Sequence, residues 1–305
     1  MMANSNAFYS SRSLTPHFGI EALDIDLNNI DLTDSQFISR LKQDLVQYRA
    51  ILFRNQNLSG QRQVDISNKL GKIESTFYKH PRSPHPCIFR VSNDEAEGCT
   101  RVGRSGWHID GTFQRKPFMY QTMYFPSVAE GGDTYFVPLK ELYDSFTEEE
   151  RRDLSKLWMV TGRREAPVHP LVYRHPFRAN EEETMLFHCG RPFVSGWYRD
   201  TNDGDADDAN LVNGVDTSRM MDSSTIQDRL TAQIESKLDE IGIRMKWEAG
   251  DFLICDNLGL AHYASEGTQA CSDGVGLRLL HRTTIVGGEE TVPIKPDGRG
   301  SFTLR

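Results

Sequence analysis

Gly250-Asp251-Phe252-Leu253-Ile254-Cys255-Asp256-Asn257 holds a short apolar run bounded by a glycine before it and an Asp-Asn pair after it, the punctuation of a β-strand. Working outward, residues 50–53, 87–91, 120–125, 133–137, 184–187 and 277–285 read the same way. Each is of strand length, several are β-branched or aromatic-rich, and Gly, Pro or Asn bounds them. Helix signals are fewer and carry caps. Thr33-Asp34-Ser35-Gln36 has the spacing of a capping box, after which Phe37, Leu41 and Leu45 recur on one face. Residues 61–70 form a second helical segment with Val64 and Leu70 toward the core. Thr147-Glu148-Glu149-Glu150 is another capping box, opening a short helix with Leu154 and Leu157. Ser224 with Gln227 starts the clearest apolar stripe: Ile226, Leu230, Ile234, Leu238 and Ile241. Many short strands, with helices early and inserted late, predict a mainly β (α+β) protein. The expected architecture is a double-stranded β-helix (jelly-roll) core with flanking and inserted helices.

No internal repeat or low-complexity linker divides the 305 residues, so a single domain, 1–305, is expected. With 38% hydrophobic and 26% charged residues, the chain can enclose a sizeable core and lies outside the disordered class. A net charge of −8 argues against a dedicated nucleic-acid binder. No apolar stretch is long enough for a membrane span, and the polar opening 1–7 lacks the parts of a secretory signal; a cytoplasmic protein is expected. Cys87, Cys99, Cys189, Cys255 and Cys271 are odd in number and form no Cys-x-x-Cys pair, which speaks for reduced thiols acting as small buried hydrophobes. Residues 198–223 are rich in Asp, Asn and Gly and read as a lid or a solvated insertion. A calcium loop fails there, because neither Asp200 nor Asp203 as first ligand places Gly sixth and Glu twelfth. Oligomeric state has no signature in the sequence.

The chemistry concentrates in three places. Gly106-Trp107-His108-Ile109-Asp110-Gly111-Thr112-Phe113 sets His108 and Asp110 two apart, a spacing that puts both on one face of an extended chain. Far downstream comes His262, which only a fold can bring near. Two histidines and one carboxylate form the facial triad of non-haem Fe(II) oxygenases, leaving three coordination positions open. By itself His-x-Asp is weak, and a satisfied structural histidine is the ordinary alternative. It is accompanied, however, by Gly131-Gly132-Asp133-Thr134 and by Arg278-Leu279-Leu280-His281-Arg282. Arg278, Leu280 and Arg282 share one strand face, and two guanidiniums pointing into a core must meet anions. Structural salt bridges to Asp or Glu are the competing account of that pair.

At these residues the chain resembles the TauD/TfdA family, the Fe(II)- and 2-oxoglutarate-dependent dioxygenases related to taurine dioxygenase. The matching motifs are Trp107-His108-Ile109-Asp110, Gly131-Gly132-Asp133-Thr134, Gly250-Asp251-Phe252 through Asp256-Asn257, His262-Tyr263-Ala264 and Arg278-Leu279-Leu280-His281-Arg282. Asp31-Leu32-Thr33, Ala50-Ile51-Leu52-Phe53-Arg54-Asn55-Gln56 and Leu70-Gly71 extend the agreement through the amino-terminal half. The resemblance implies His108, Asp110 and His262 as iron ligands. It implies Arg278, assisted by Thr134, as partner of the distal carboxylate of 2-oxoglutarate, and Arg282 as receiver of the anionic group of the prime substrate. Fe(II), 2-oxoglutarate and O2 are the implied cofactor and co-substrates.

Departures bear on the substrate. The family's asparagine just before His-x-Asp is not evident, and Arg104 occupies that neighbourhood; the loop between His262 and Arg278 is longer, and the acidic segment after Tyr198 is expanded. The expected partner is a small organic anion (carboxylate, sulfonate or phosphonate) received by Arg282 with Arg104 in support. Arg104 reads equally as a solvated loop charge. Phe113, Trp197 and Tyr198 are candidates for an aromatic wall, and each reads equally as core. Hydroxylation is the default outcome, with desaturation or oxidative cyclisation of an amino-acid-derived metabolite, in the manner of kainoid-forming relatives, as the alternative. Two other classes are weighed. A zinc hydrolase would use the same triad but has no use for the paired arginines, and a non-catalytic cupin-like binding module would be expected to lack a ligand.

Overall fold

The computed structural model describes residues 8–74, 78–100, 102–103, 105–162, 166–178, 184–186, 193–200, 211–269 and 276–304, with 184–186 and 269 by their backbone alone. In chain order the first half contains β1 (Ser10–Ser13), β2 (Ile20–Leu23), α1 (Ser35–Tyr48), β3 (Ala50–Phe53), α2 (Gly60–Leu70), β4 (Phe89–Ser92), β5 (Phe118–Ser127) and β6 (Thr134–Pro138). Next come α3 (Leu139–Asp144), α4 (Glu148–Leu154), β7 (Leu157–Thr161), β8 (Pro167–Pro170), β9 (Val172–Arg174), β10 (Thr184–Leu186), β11 (Val194–Asp200), β12 (Leu211–Val212) and β13 (Val215–Met221). The last part holds α5 (Ser223–Ile241), β14 (Ile243–Met245), β15 (Asp251–Asp256), β16 (Leu260–Ala264), β17 (Leu279–Val286) and β18 (Phe302–Thr303).

The strands form a large sheet in the order β1-β2-β3-β15-β5-β17-β4 and a second in the order β12-β13-β11-β7-β8-β18. A small sheet β14-β6-β16 and the pair β10-β9 complete the set. The protein is mainly β with few helices, as the sequence indicates. Pairing is antiparallel apart from β2 with β3. Side-chain alternation in the three central strands decides what each face meets. In β3, Ile51 and Phe53 project to one side and Ala50 and Leu52 to the other. β15 repeats this with Phe252 and Ile254 against Leu253 and Cys255, and β5 with Tyr124 against Met123 and Phe125. The first set packs on Phe37, Leu41 and Leu45 of α1 and on Ile66 and Leu70 of α2. The second set meets Phe136 of β6, Met245 of β14 and Leu260 of β16. The small sheet turns Val137 and Ala261 the other way, into a core shared with Leu230, Ile234, Leu238 and Ile241 of α5. α1 and α2 therefore cover one side of the large sheet and α5 one side of the small sheet, and the inward faces of β16 and β17 look into the gap between these two sheets.

Several elements differ from the sequence expectation in instructive ways. The N-cap of α1 is Asp34, whose carboxylate accepts from the amides of Gln36 and Phe37, and not Thr33. Thr33 is already engaged, donating from its amide and hydroxyl to Asp31. The capping box at Thr147 with Glu150 is present, but Leu157 lies beyond the helix and opens β7: Ser155 caps α4, and the run Leu157–Thr161 is fully buried strand. α5 begins at Ser223, one residue early. Part of the segment 198–223 is sheet, with 198–200 in β11 and β12 pairing β13 as a hairpin; residues 201–210 lie outside the described set. Cys87, Cys99 and Cys255 are free thiols; Cys255 is buried, whereas Cys87 and Cys99 are only partly covered. Cys189 and Cys271 lie outside the described residues.

Two substitutions separate packing from capping. Leu41 has no exposed surface, so Leu41→Ala should lower the unfolding free energy by about 2–5 kcal/mol through lost burial and a residual cavity. Thr147→Ala, which removes a cap on an exposed turn, should cost about 1 kcal/mol. Urea denaturation of both variants checks the ordering, and equal losses would contradict the packing described.

Candidate functional site

The site is assembled by an isolated backbone bridge. His108 donates its amide to the carbonyl of His262 at 3.1 Å, and His262 returns the bond to His108 at 2.9 Å. The two rings then lie 4.3 Å apart, centroid to centroid. Asp110 follows in a turn and not in a regular strand. Its backbone is clamped by Asn257, which accepts from the Asp110 amide at 2.8 Å and donates to the Asp110 carbonyl at 2.9 Å. The same amide group donates to Phe118 O and accepts from Gln121, so all its hydrogen-bonding capacity is used. Asp256, next door, accepts from the amides of Leu258 and Gly259 and from buried His175, fixing the turn that presents Asn257. Gly111 adopts φ +84°, and a Cβ there would strike Phe118 at 2.8 Å; the turn closing the His108–Asp110 segment requires glycine.

The ligand atoms of His108, Asp110 and His262 all lie within 4.8 Å of one another. Asp110 Oδ1 is 3.9 Å from His108 Nε2, and Oδ2 is 3.7 Å from His262 Nε2. His108 donates from Nδ1 to the carbonyl of Gly106 at 2.7 Å, which leaves the Nε2 lone pair directed at the cluster. Burial lowers the pKa of His108, more than Asp110 raises it. Burial, with His108 close by, lowers His262 to about 3. Burial alone would raise Asp110, but Arg282 and the two imidazoles outweigh it and hold the carboxyl low. Two neutral imidazoles and an ionised carboxylate are the donor states a divalent transition metal requires, and the set fits ferrous ion.

Two guanidiniums enter the gap from the strand behind, in different circumstances. Arg278, 2% exposed, donates from Nε to Gly132 O at 3.1 Å and lies over the Phe125 ring at 5.1 Å. Among the described residues no carboxylate pairs with it, and burial lowers it to about 10 against the pull of Asp133. A Cβ on Gly132 would sit 2.8 Å from Arg278 Cδ, so the glycine makes room for this side chain. Thr134 is buried on the inward face of β6, and its hydroxyl accepts from Trp247 Nε1 at 3.0 Å, leaving its own proton to donate. Arg282 does have a partner: Nη1 donates to Asp110 Oδ2 at 2.7 Å, with the guanidinium over Phe89 at 5.1 Å. Its Nε is buried with no partner among the described residues. The salt-bridge account of the paired arginines thus fits Arg282 and not Arg278.

The aromatic candidates divide. Trp197 and Tyr198 are neighbours on β11 and face opposite sides, Trp197 into the core with α5 and Tyr198 against Trp158. Both rings are packed into these cores, the core reading that the sequence also offers for them. Phe113 is half-buried, its ring 6.2 Å from that of Phe193. Arg104 lies outside the described residues. The role of Asn257 emerges only in the fold; its position after a strand in an Asp-Asn pair reads as turn punctuation, and nothing in the sequence links it to Asp110.

A family model described as "Taurine catabolism dioxygenase TauD, TfdA family" matches residues 10–284. The chain belongs to this family. Among curated relatives, an alpha-ketoglutarate-dependent sulfate ester dioxygenase of Pseudomonas putida is 26% identical over 306 aligned positions, covering 89% of this chain and 87% of the relative. An alkylsulfatase of Acinetobacter baylyi is 25% identical over 291 positions, covering 90% and 84%. A taurine dioxygenase structure from Burkholderia xenovorans shares the fold with a TM-score of 0.73 at 24% identity, covering 98% of this chain and 97% of that one. The protein is an enzyme, an alpha-ketoglutarate-dependent dioxygenase.

Two histidines outside the triad brace the dioxygenase and make its stability pH-dependent. His169, fully buried, bonds through Nε2 to Thr112 O at 3.0 Å and Gln114 O at 3.1 Å, holding the loop that follows Asp110. Burial lowers it to about 4. His281 faces Arg90 Nη1 at 2.7 Å and is lowered to about 4 by burial, then by Arg90. Between pH 6.5 and 4 the unfolded chain binds protons that these folded sites refuse, so stability is full above pH 6.5 and falls as pH drops toward 4. Each contributes a slope of up to about 1.4 kcal/mol per pH unit. Urea midpoints across that range should show the fall, and His169→Gln should make it shallower while His281 keeps its share; an unchanged slope in the variant would refute His169 as a source.

Proposed function

We propose that the protein is an Fe(II)- and 2-oxoglutarate-dependent dioxygenase that hydroxylates a C–H bond of a small organic anion, with release of succinate and CO2. We read the sheets that face each other across the site as its double-stranded β-helix core. The observation carrying this reading is Arg278, a buried guanidinium that has no carboxylate partner among the described residues and stands beside a two-histidine, one-carboxylate cluster. An unpaired buried cation is costly, and the cost is explained if a dianionic co-substrate completes it. With Nε committed to Gly132, the Nη edge is the fork a carboxylate accepts.

His108, Asp110 and His262 would hold the iron, and Thr134 would assist Arg278 at the far carboxylate. When bound, the metal and 2-oxoglutarate supply the oxidising chemistry; the balance is R–H, 2-oxoglutarate and O2 to R–OH, succinate and CO2. The residues of this chain bind, orient and exclude water. Phe125 and Trp247, stacked with centroids 4.0 Å apart, wall the Arg278 side. Arg282 keeps its buried Nε without a partner among the described residues, a donor for the substrate's anionic group. Sulfate esters, named for the Pseudomonas putida relative, carry such a group.

An aerobic screen of sulfate esters, sulfonates, phosphonates and carboxylates with Fe(II) and 2-oxoglutarate tests this. Substrate-dependent succinate release with a product heavier by one oxygen is expected; a product lighter by two hydrogens would replace hydroxylation by desaturation or cyclisation. Arg278→Met should raise the KM for 2-oxoglutarate at least about thirtyfold, from the 2–5 kcal/mol attached to truncating a buried charge partner. Without co-substrate the same variant should be no less stable than the parent, since it removes a buried unpaired charge. An unchanged KM would overturn the assignment of Arg278.

A further inference from the structure

Asp110 is held from two directions, and the combination restricts what its carboxylate can do. Asn257 fixes the backbone through both amide and carbonyl. Arg282 fixes Oδ2 at 2.7 Å. The guanidinium is itself immobilised: Arg282 lies opposite Met123 in the β17–β5 ladder, half-buried, with its plane over Phe89. Oδ1 faces His108 Nε2 at 3.9 Å and Oδ2 faces His262 Nε2 at 3.7 Å, so both oxygens are turned toward the cluster and Arg282 holds one of them.

Resting on the metal reading above, we propose that Arg282 is a positioning residue that restricts Asp110 to ligation through a single oxygen. The consequence is arithmetic. Six-coordinate metal with three protein atoms has three positions left, two for the keto-acid chelate and one for O2. A carboxylate binding through both oxygens would take one of these three. Arg282 occupies the second oxygen and so keeps the last position available. Because Nη1 serves Asp110 and Nε has no partner among the described residues, the same guanidinium can still receive a substrate anion on its other edge.

Mn(II) alone, added to the full chain, reads this without turnover. Line broadening of the Mn(II) electron paramagnetic resonance signal in oxygen-17 water counts the coordinated waters. The parent protein should show three, and Arg282→Met, which keeps length and removes every donor, should show two. Three in both, or two in the parent, overturns the role of Arg282 while leaving the metal site standing. Failure of the parent to bind Mn(II) overturns the metal reading itself, and this proposal with it. A crystal structure of the parent with Mn(II) gives an independent check should the variant not fold: one Asp110 oxygen on the metal and the other on Arg282 is expected, and both oxygens on the metal refutes the assignment.

Discussion

Two backbone hydrogen bonds between His108 and His262 are the constraint on which the site depends. β16 is the edge of the small sheet, and on its open side the groups of His262 are taken by His108 alone. Each bond is worth only about 0.5–1.5 kcal/mol net. Together they set one candidate metal ligand against another across about half of the sequence, and Asn257 then fixes the third from the far end of β15. The energy comes from the cores on either side; these few polar contacts convert it into a donor geometry.

Around that geometry, charge is arranged at the expense of stability. A carboxylate and two guanidiniums come together near Phe125, Phe89, Phe136 and Trp247, and among the described residues only Arg282 has a carboxylate partner. Strand alternation and glycine turns agree with the fold, and against that background a buried guanidinium with no carboxylate partner among the described residues stands out at Arg278.

The strands central to the large sheet were legible because they are fully buried, punctuated and β-branched or aromatic, as with residues 50–53 and 251–255. β7 was not, since Leu157 falls in helical phase with Leu154 and a buried run has no alternation to betray it. β11 escaped for a related reason: Trp197 and Tyr198 look like ligand-facing aromatics until their two faces are known to serve two different cores. Asn257 escaped because its partners, Asp110, Phe118 and Gln121, are all distant in the chain.

The sequence by itself determined the chemical types at the site: two imidazoles and a carboxylate in the right spacing, glycines leading to a threonine, and arginines on one strand face. Those follow from side-chain chemistry and from local periodicity, which act over a few residues. Only the tertiary structure decided that His262 pairs with His108, that Asp110 engages Arg282 and not Arg278, and that Trp197 and Tyr198 are core. Such choices depend on sheet register and on which surfaces lose water together, and those are properties of the whole fold, not of any segment read alone.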